Sequence, residues 1–100
     1  MRVTLTTAAA SDVEQIGDYI ALDNPARALT YIDELQRRIA KLGELPQAGR
    51  SRPEWADGVR STPFGSYLIV WWIRGDLIEI LRVVHGARDL DALFSIQPLD

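Results

Sequence analysis

The chain contains no cysteine, one histidine (His85), one lysine (Lys41) and one methionine. Without cysteine there is neither a disulfide framework nor a thiolate metal site, and the composition fits a reducing cytoplasm. Long apolar runs are also absent: LIVWWI at 68–73 is far short of the roughly 20 residues needed to cross a bilayer. The opening MRVTLTTAAASDV has one arginine, a thin apolar stretch and an early Asp12, which is not the architecture of a signal peptide. A basic surplus is missing as well. The net charge is −3, so the chain is not expected to hold nucleic acid by phosphate neutralisation alone, nor to bind DNA sequence-specifically. No metal or cofactor site is read from the sequence.

What is present is enough for one domain. A chain of 100 residues with 47% hydrophobic content buries roughly 60–70% of the surface its unfolded form exposes, so residues 1–100 are expected to share a single compact core. Charge is unevenly spread. Arg50, Arg52, Arg60, Arg74, Arg82 and Arg88 outnumber Glu54, Asp57, Asp76 and Glu79 in the same stretch, and the rest of the chain is acidic.

RVTLTT alternates Val3 and Leu5 with polar residues and reads as a short strand. A helix follows, for which Ser11 and Glu14 have capping-box spacing, although Thr7 is an alternative start one turn earlier. Val13, Ile16 and Ile20 form its apolar stripe. After the DNP break, Asn24 is a suitable N-cap and Pro25 a suitable first residue for a second helix with a stripe of Leu29, Ile32, Leu35, Ile39 and Leu42. Residues 46–58 read as a connection, with PEWA as a helical turn. From there the period switches to two: VRST, a PFGS turn, YLIVWWIR, a Gly75-Asp76 turn suited to type II′, and LIEILRVVH. Asp89 is a candidate cap for a short last helix with Leu90, Leu93 and Phe94 on one face.

A Gly75-Asp76 turn pairs Ile73 with Ile78, Trp71 with Ile80, Ile69 with Arg82 and Tyr67 with Val84. Both faces of this hairpin are apolar, whereas a sheet with one wet face alternates cleanly, so each face is expected to be covered, the second one by a partner. Arg82 has no acid opposite it in this register. Burying it alone costs several kcal/mol, which points to a cleft edge or a partner's carboxylate, with Tyr67 and Trp71 available for stacking. An internal pair with Glu54, Asp57 or Asp89 is the competing reading.

The segments AASDVEQIGDYI, LPQAGRSRPEWADGVRS, YLIVWWI and ILRVVHGARDL, in this order, make the chain resemble the RelE/ParE family of bacterial type II toxins. The last segment, a strand ending in His-Gly-x-x-Asp form, resembles the ParE branch. The resemblance implies an α+β fold: an N-terminal strand and an α-helical hairpin packed on an antiparallel sheet of three further strands, with a short C-terminal helix. It further implies a cytoplasmic toxin that inhibits DNA gyrase and so replication. Its cognate antitoxin is expected to combine a DNA-binding N-terminal domain with a flexible C-terminal segment. On this reading Tyr67, Trp71 and Arg82 contribute to an antitoxin groove, and His85, Arg88 and Asp89 are candidates to face gyrase.

The alternative within the family is a ribosome-dependent mRNA endoribonuclease, which needs a base, cations on the phosphate and an acid. Arg60, Arg82 and His85 are its catalytic candidates, with Glu54 as a possible base. Lys41 stands alone, so the lysine cluster by which RelE-like enzymes hold RNA is missing. The structural reading of His85 is a hydrogen bond to the 86–89 turn or to Asp89, and that of Gly86 is an unusual backbone dihedral. Ser11, Asp12 and Glu14 are read as capping residues.

Overall fold

The computed structural model describes residues 1–86. The last-helix expectation at Asp89 to Phe94, and the candidates Arg88 and Asp89, lie outside the described residues.

The order is β1 (Arg2–Leu5), α1 (Thr7–Ala21), α2 (Pro25–Lys41), β2 (Arg50–Ser51), β3 (Arg60–Phe64), β4 (Tyr67–Arg74) and β5 (Leu77–His85). The five strands form one sheet in the order β1-β5-β4-β3-β2. β1 runs parallel to β5, and the other neighbours are antiparallel. The sheet is therefore mixed, and the fold is α+β as the resemblance implies.

Thr6, not Ser11, caps α1: its hydroxyl accepts from the Ala9 amide at 3.0 Å and donates to the Leu81 carbonyl at 3.0 Å. One side chain thus starts the helix and ties it to β5. Asn24 caps α2 by accepting from Arg27 N at 3.0 Å, with Pro25 in the first turn. Leu29 does not belong to the buried stripe of α2, being 77% exposed. Ala28 is buried in its place, together with Leu35, Ile39 and Leu42, the last three of which belong to the core shared with the sheet.

The β4–β5 turn is as expected. Gly75 has φ +62°, no non-glycine among the described residues has positive φ, and Arg74 pairs with Leu77. These are the demands of a II′ turn. The register then slips. Ile73 pairs with Ile78 and Trp71 with Ile80, but Val70 pairs with Arg82, Ile69 with Val83 and Tyr67 with His85. Leu81 is the extra residue of a β-bulge, so the expected pairs Ile69–Arg82 and Tyr67–Val84 do not form.

Two apolar clusters result. Between helices and sheet lie Val13, Ile16, Leu35, Ile39, Ile69, Trp71, Ile78, Ile80 and Val83. On the opposite face Trp55 and Val59 bury against Val70 and Val84, with Leu68, Trp72 and Leu81 packed at the margin. The 52–59 loop, read from sequence as a plain connection, is thus part of the cover of the second face. Arg52 lies over the Trp55 ring at 4.6 Å, and its Nε donates to Ser61 Oγ at 2.9 Å, which fastens the loop to β3.

Candidate functional site

The bulge decides where Arg82 goes. Its Nε donates to Asp12 Oδ2 at 2.7 Å and its second guanidinium nitrogen to Asp12 Oδ1 at 2.9 Å, while the Val83 amide donates to Asp12 Oδ2 at 2.9 Å. The side chains are 28% and 11% exposed. Arg82 therefore has an internal partner among the described residues; of the expected candidates Asp89 lies outside them, and the partner found is neither Glu54 nor Asp57. It is Asp12, which lies within α1 and is no cap. The two-toothed geometry fixes α1 against β5 in orientation as well as distance.

Trp71, expected in an antitoxin groove with Arg82, is fully buried. Arg60 lies near its ring, with the guanidinium carbon 5.9 Å from the centroid. The same guanidinium donates to the carbonyls of Ala48 and Gln47 at 2.9 Å and of Gly49 at 3.3 Å. Arg60 is in this way the brace of the 47–49 turn. Gly49 makes the approach possible: its φ is +80°, and a Cβ there would stand 2.7 Å from the Ser61 carbonyl oxygen.

His85 and Tyr67 do come together. They are paired across β4 and β5, and their rings meet edge to face at 5.5 Å and 80°. Tyr67 also approaches Tyr31, which contacts Phe64 edge-on at 5.2 Å. Two shallow clefts of about 220 and 250 Å³ open at this end, both bordered by Tyr19, Tyr67 and His85. Asp12 reaches the wall of the first and Ser66 that of the second. Tyr19, 63% exposed on α1, was not singled out by sequence. The available signal was an aromatic three residues after Ile16, at the rim of the apolar stripe. The Gly86 amide donates to the Ser66 carbonyl at 2.9 Å, and Gly86 is not among the positive-φ glycines, so it closes the hairpin end without the unusual dihedral expected of it.

The ribonuclease candidates are separated. Arg60 pairs with Trp71, and His85 pairs with Tyr67. Those partners stand four residues apart on β4, about 13 Å along the strand. Glu54 is at the surface, 51% exposed, 3.4 Å from Arg52. Among the described residues no group of three or more His, Asp or Glu side chains is placed to hold a metal.

A helical hairpin on one face of a short mixed sheet, with tyrosine and histidine side chains gathered at one end, defines a small α+β domain. Residues 3–90 match the ParE toxin of type II toxin-antitoxin systems, parDE, and the chain belongs to that family. Among solved structures, the chromosomal ParDE toxin-antitoxin system from P. aeruginosa superposes with a TM-score of 0.75 at 25% identity, covering 85% of this chain and 95% of that one. Comparison with curated proteins gives no significant match.

Proposed function

We propose that this chain is the toxin of a ParDE-type pair, that it acts in the cytoplasm on DNA gyrase to block replication, and that a cognate antitoxin neutralises it. The antitoxin carries a DNA-binding N-terminal domain and a flexible C-terminal segment. The carrying observation is the commitment of the cations. Arg60 is held by three carbonyls and Arg82 by Asp12, and the β4 partners of Arg60 and His85 stand four residues apart. An endoribonuclease needs such groups converging on one phosphate. The inhibitor reading asks only for a shaped surface. That surface is taken to include the Tyr19–Tyr67–His85 clefts, with Arg88 and Asp89, which follow His85 in sequence, as further candidates. Tyr67 contributes directly to antitoxin contact, while Trp71 and Arg82 act from beneath by fixing β4, β5 and α1.

The test is a gyrase supercoiling and DNA-cleavage assay with the purified chain, run beside ribosome-dependent mRNA cleavage. The expected result is lost supercoiling or trapped cleavage complexes with intact mRNA. Cut mRNA with gyrase untouched would overturn the proposal in favour of the endoribonuclease.

A further inference from the structure

The described cations sort by partner. Arg27 pairs with Glu34, Arg37 with Asp33, Arg52 with Glu54, Arg74 with Glu79 and Arg82 with Asp12. Arg60 is held by carbonyls. Arg2, Arg38, Lys41 and Arg50 have no ion pair among the described residues, and the last three line one trough of about 880 Å³. It lies between the end of α2 and the β2–β3 edge of the sheet. Arg52 is a fourth cation in its wall, and among the described residues no carboxylate lines it. In a chain of net charge −3 this is a marked local reversal.

The helix dipole accounts for Arg38 and Lys41, which sit in the last turn of α2. It does not account for Arg50, which comes from β2. Between the cations the wall is aliphatic, formed by Leu42, Leu45, Pro63 and Leu68, and Leu45 is 52% exposed. Among the described residues β2 is the terminal strand of the sheet, with no strand beside its outer edge.

We infer that this trough is the docking site for an extended segment of the antitoxin that alternates acidic with aliphatic residues. The inference rests on the toxin-antitoxin reading above. It places this contact away from the Tyr67 clefts. The cations meet the segment's carboxylates, the aliphatic wall takes its apolar side chains, and the open β2 edge suits an extended backbone. A nucleic-acid strand fits less well, because among the described residues no aromatic ring lines the trough for a base to stack on.

The test is calorimetric titration of the full chain with the full-length product of the antitoxin gene encoded beside it. Three variants are used: Lys41→Glu with Arg50→Glu together, Leu45→Asp, and Arg2→Glu as a control in β1 outside the trough. Lys41, Arg50 and Leu45 are exposed, and thermal unfolding followed by circular dichroism confirms that each variant folds. The double charge reversal is expected to weaken binding by about tenfold to a hundredfold and to flatten its salt dependence. Leu45→Asp is expected to weaken it by about tenfold, and Arg2→Glu to leave it unchanged. Tight binding by wild type and by all variants alike overturns the site while leaving the toxin reading standing. Failure of the wild-type chain to bind at all overturns both. A charge reversal that spares antitoxin affinity and abolishes binding to a single-stranded RNA oligonucleotide overturns the peptide assignment in favour of a nucleic-acid groove.

Discussion

At the scale of single residues, Asp12 has the largest structural role that its sequence position conceals. One carboxylate accepts three hydrogen bonds, two from Arg82 and one from the Val83 amide beside the bulge. Removing it takes the carboxylate from a mostly buried guanidinium and the side-chain acceptor from the Val83 amide. Breaking a buried pair by deleting one member costs more than the pair contributes net, because the survivor keeps its desolvation penalty. Asp12→Ala should therefore destabilise the fold by about 2–4 kcal/mol, seen as a lower urea midpoint with an unchanged slope in tryptophan fluorescence. Asp12→Asn, which keeps an acceptor for Val83, should cost less. If Asp12→Ala unfolds at the wild-type midpoint, the pair is a surface decoration and Arg82 is held by something else.

At the scale of elements, the bulge explains why part of this structure could be read from sequence and part could not. The helical hairpin, the Gly75-Asp76 turn and the first pairs of β4 with β5 follow from period and turn chemistry, which are local. The slip at Leu81 leaves no such trace, because Leu81, Val83 and Val84 are apolar and suit either face of a sheet that is covered on both sides. The plain ladder sets Arg82 opposite Ile69 where the structure has Val70; neither is an acid, and Asp12 reaches Arg82 from α1, which no β4–β5 register describes. Asp12 was hidden in turn by Ser11 and Glu14, whose spacing imitates a cap. The parallel pairing of β1 and the two-residue β2 are too short to have a period. Deleting Leu81 should restore the plain ladder and turn Arg82 toward the Val70 face, away from α1. In a double-mutant cycle the deletion and Asp12→Ala should then be strongly non-additive, with Asp12→Ala costing little once Leu81 is gone. Full additivity by urea denaturation would show that the bulge is not what delivers Arg82 to Asp12.

At the scale of the whole molecule, the helix layer and the sheet meet at an aromatic junction that should titrate. Tyr31 of α2 packs edge-on against Phe64 of β3 and approaches Tyr67 of β4. Burial is the leading reason that its phenol is held above the ordinary value of 10.0, with the nearby Tyr67 adding to the shift and Arg27 opposing it. A group whose folded pKa is raised binds its proton more tightly when folded. Its contribution is thus complete below the unfolded value, near 10, and is lost as pH climbs through the higher folded value. The wild-type melting temperature should accordingly fall as pH rises from 9 toward 11, with tyrosinate absorbance rising alongside it. Tyr31→Phe keeps the ring contacts and removes the proton, so its melting temperature should decline less steeply over the same window. The Arg27–Glu34 pair does not confuse the result, because the carboxyl of Glu34 is held below its ordinary value by Arg27 and stays ionised throughout. Equal alkaline slopes for the two proteins would mean that helix and sheet separate for a reason other than the ionisation of Tyr31.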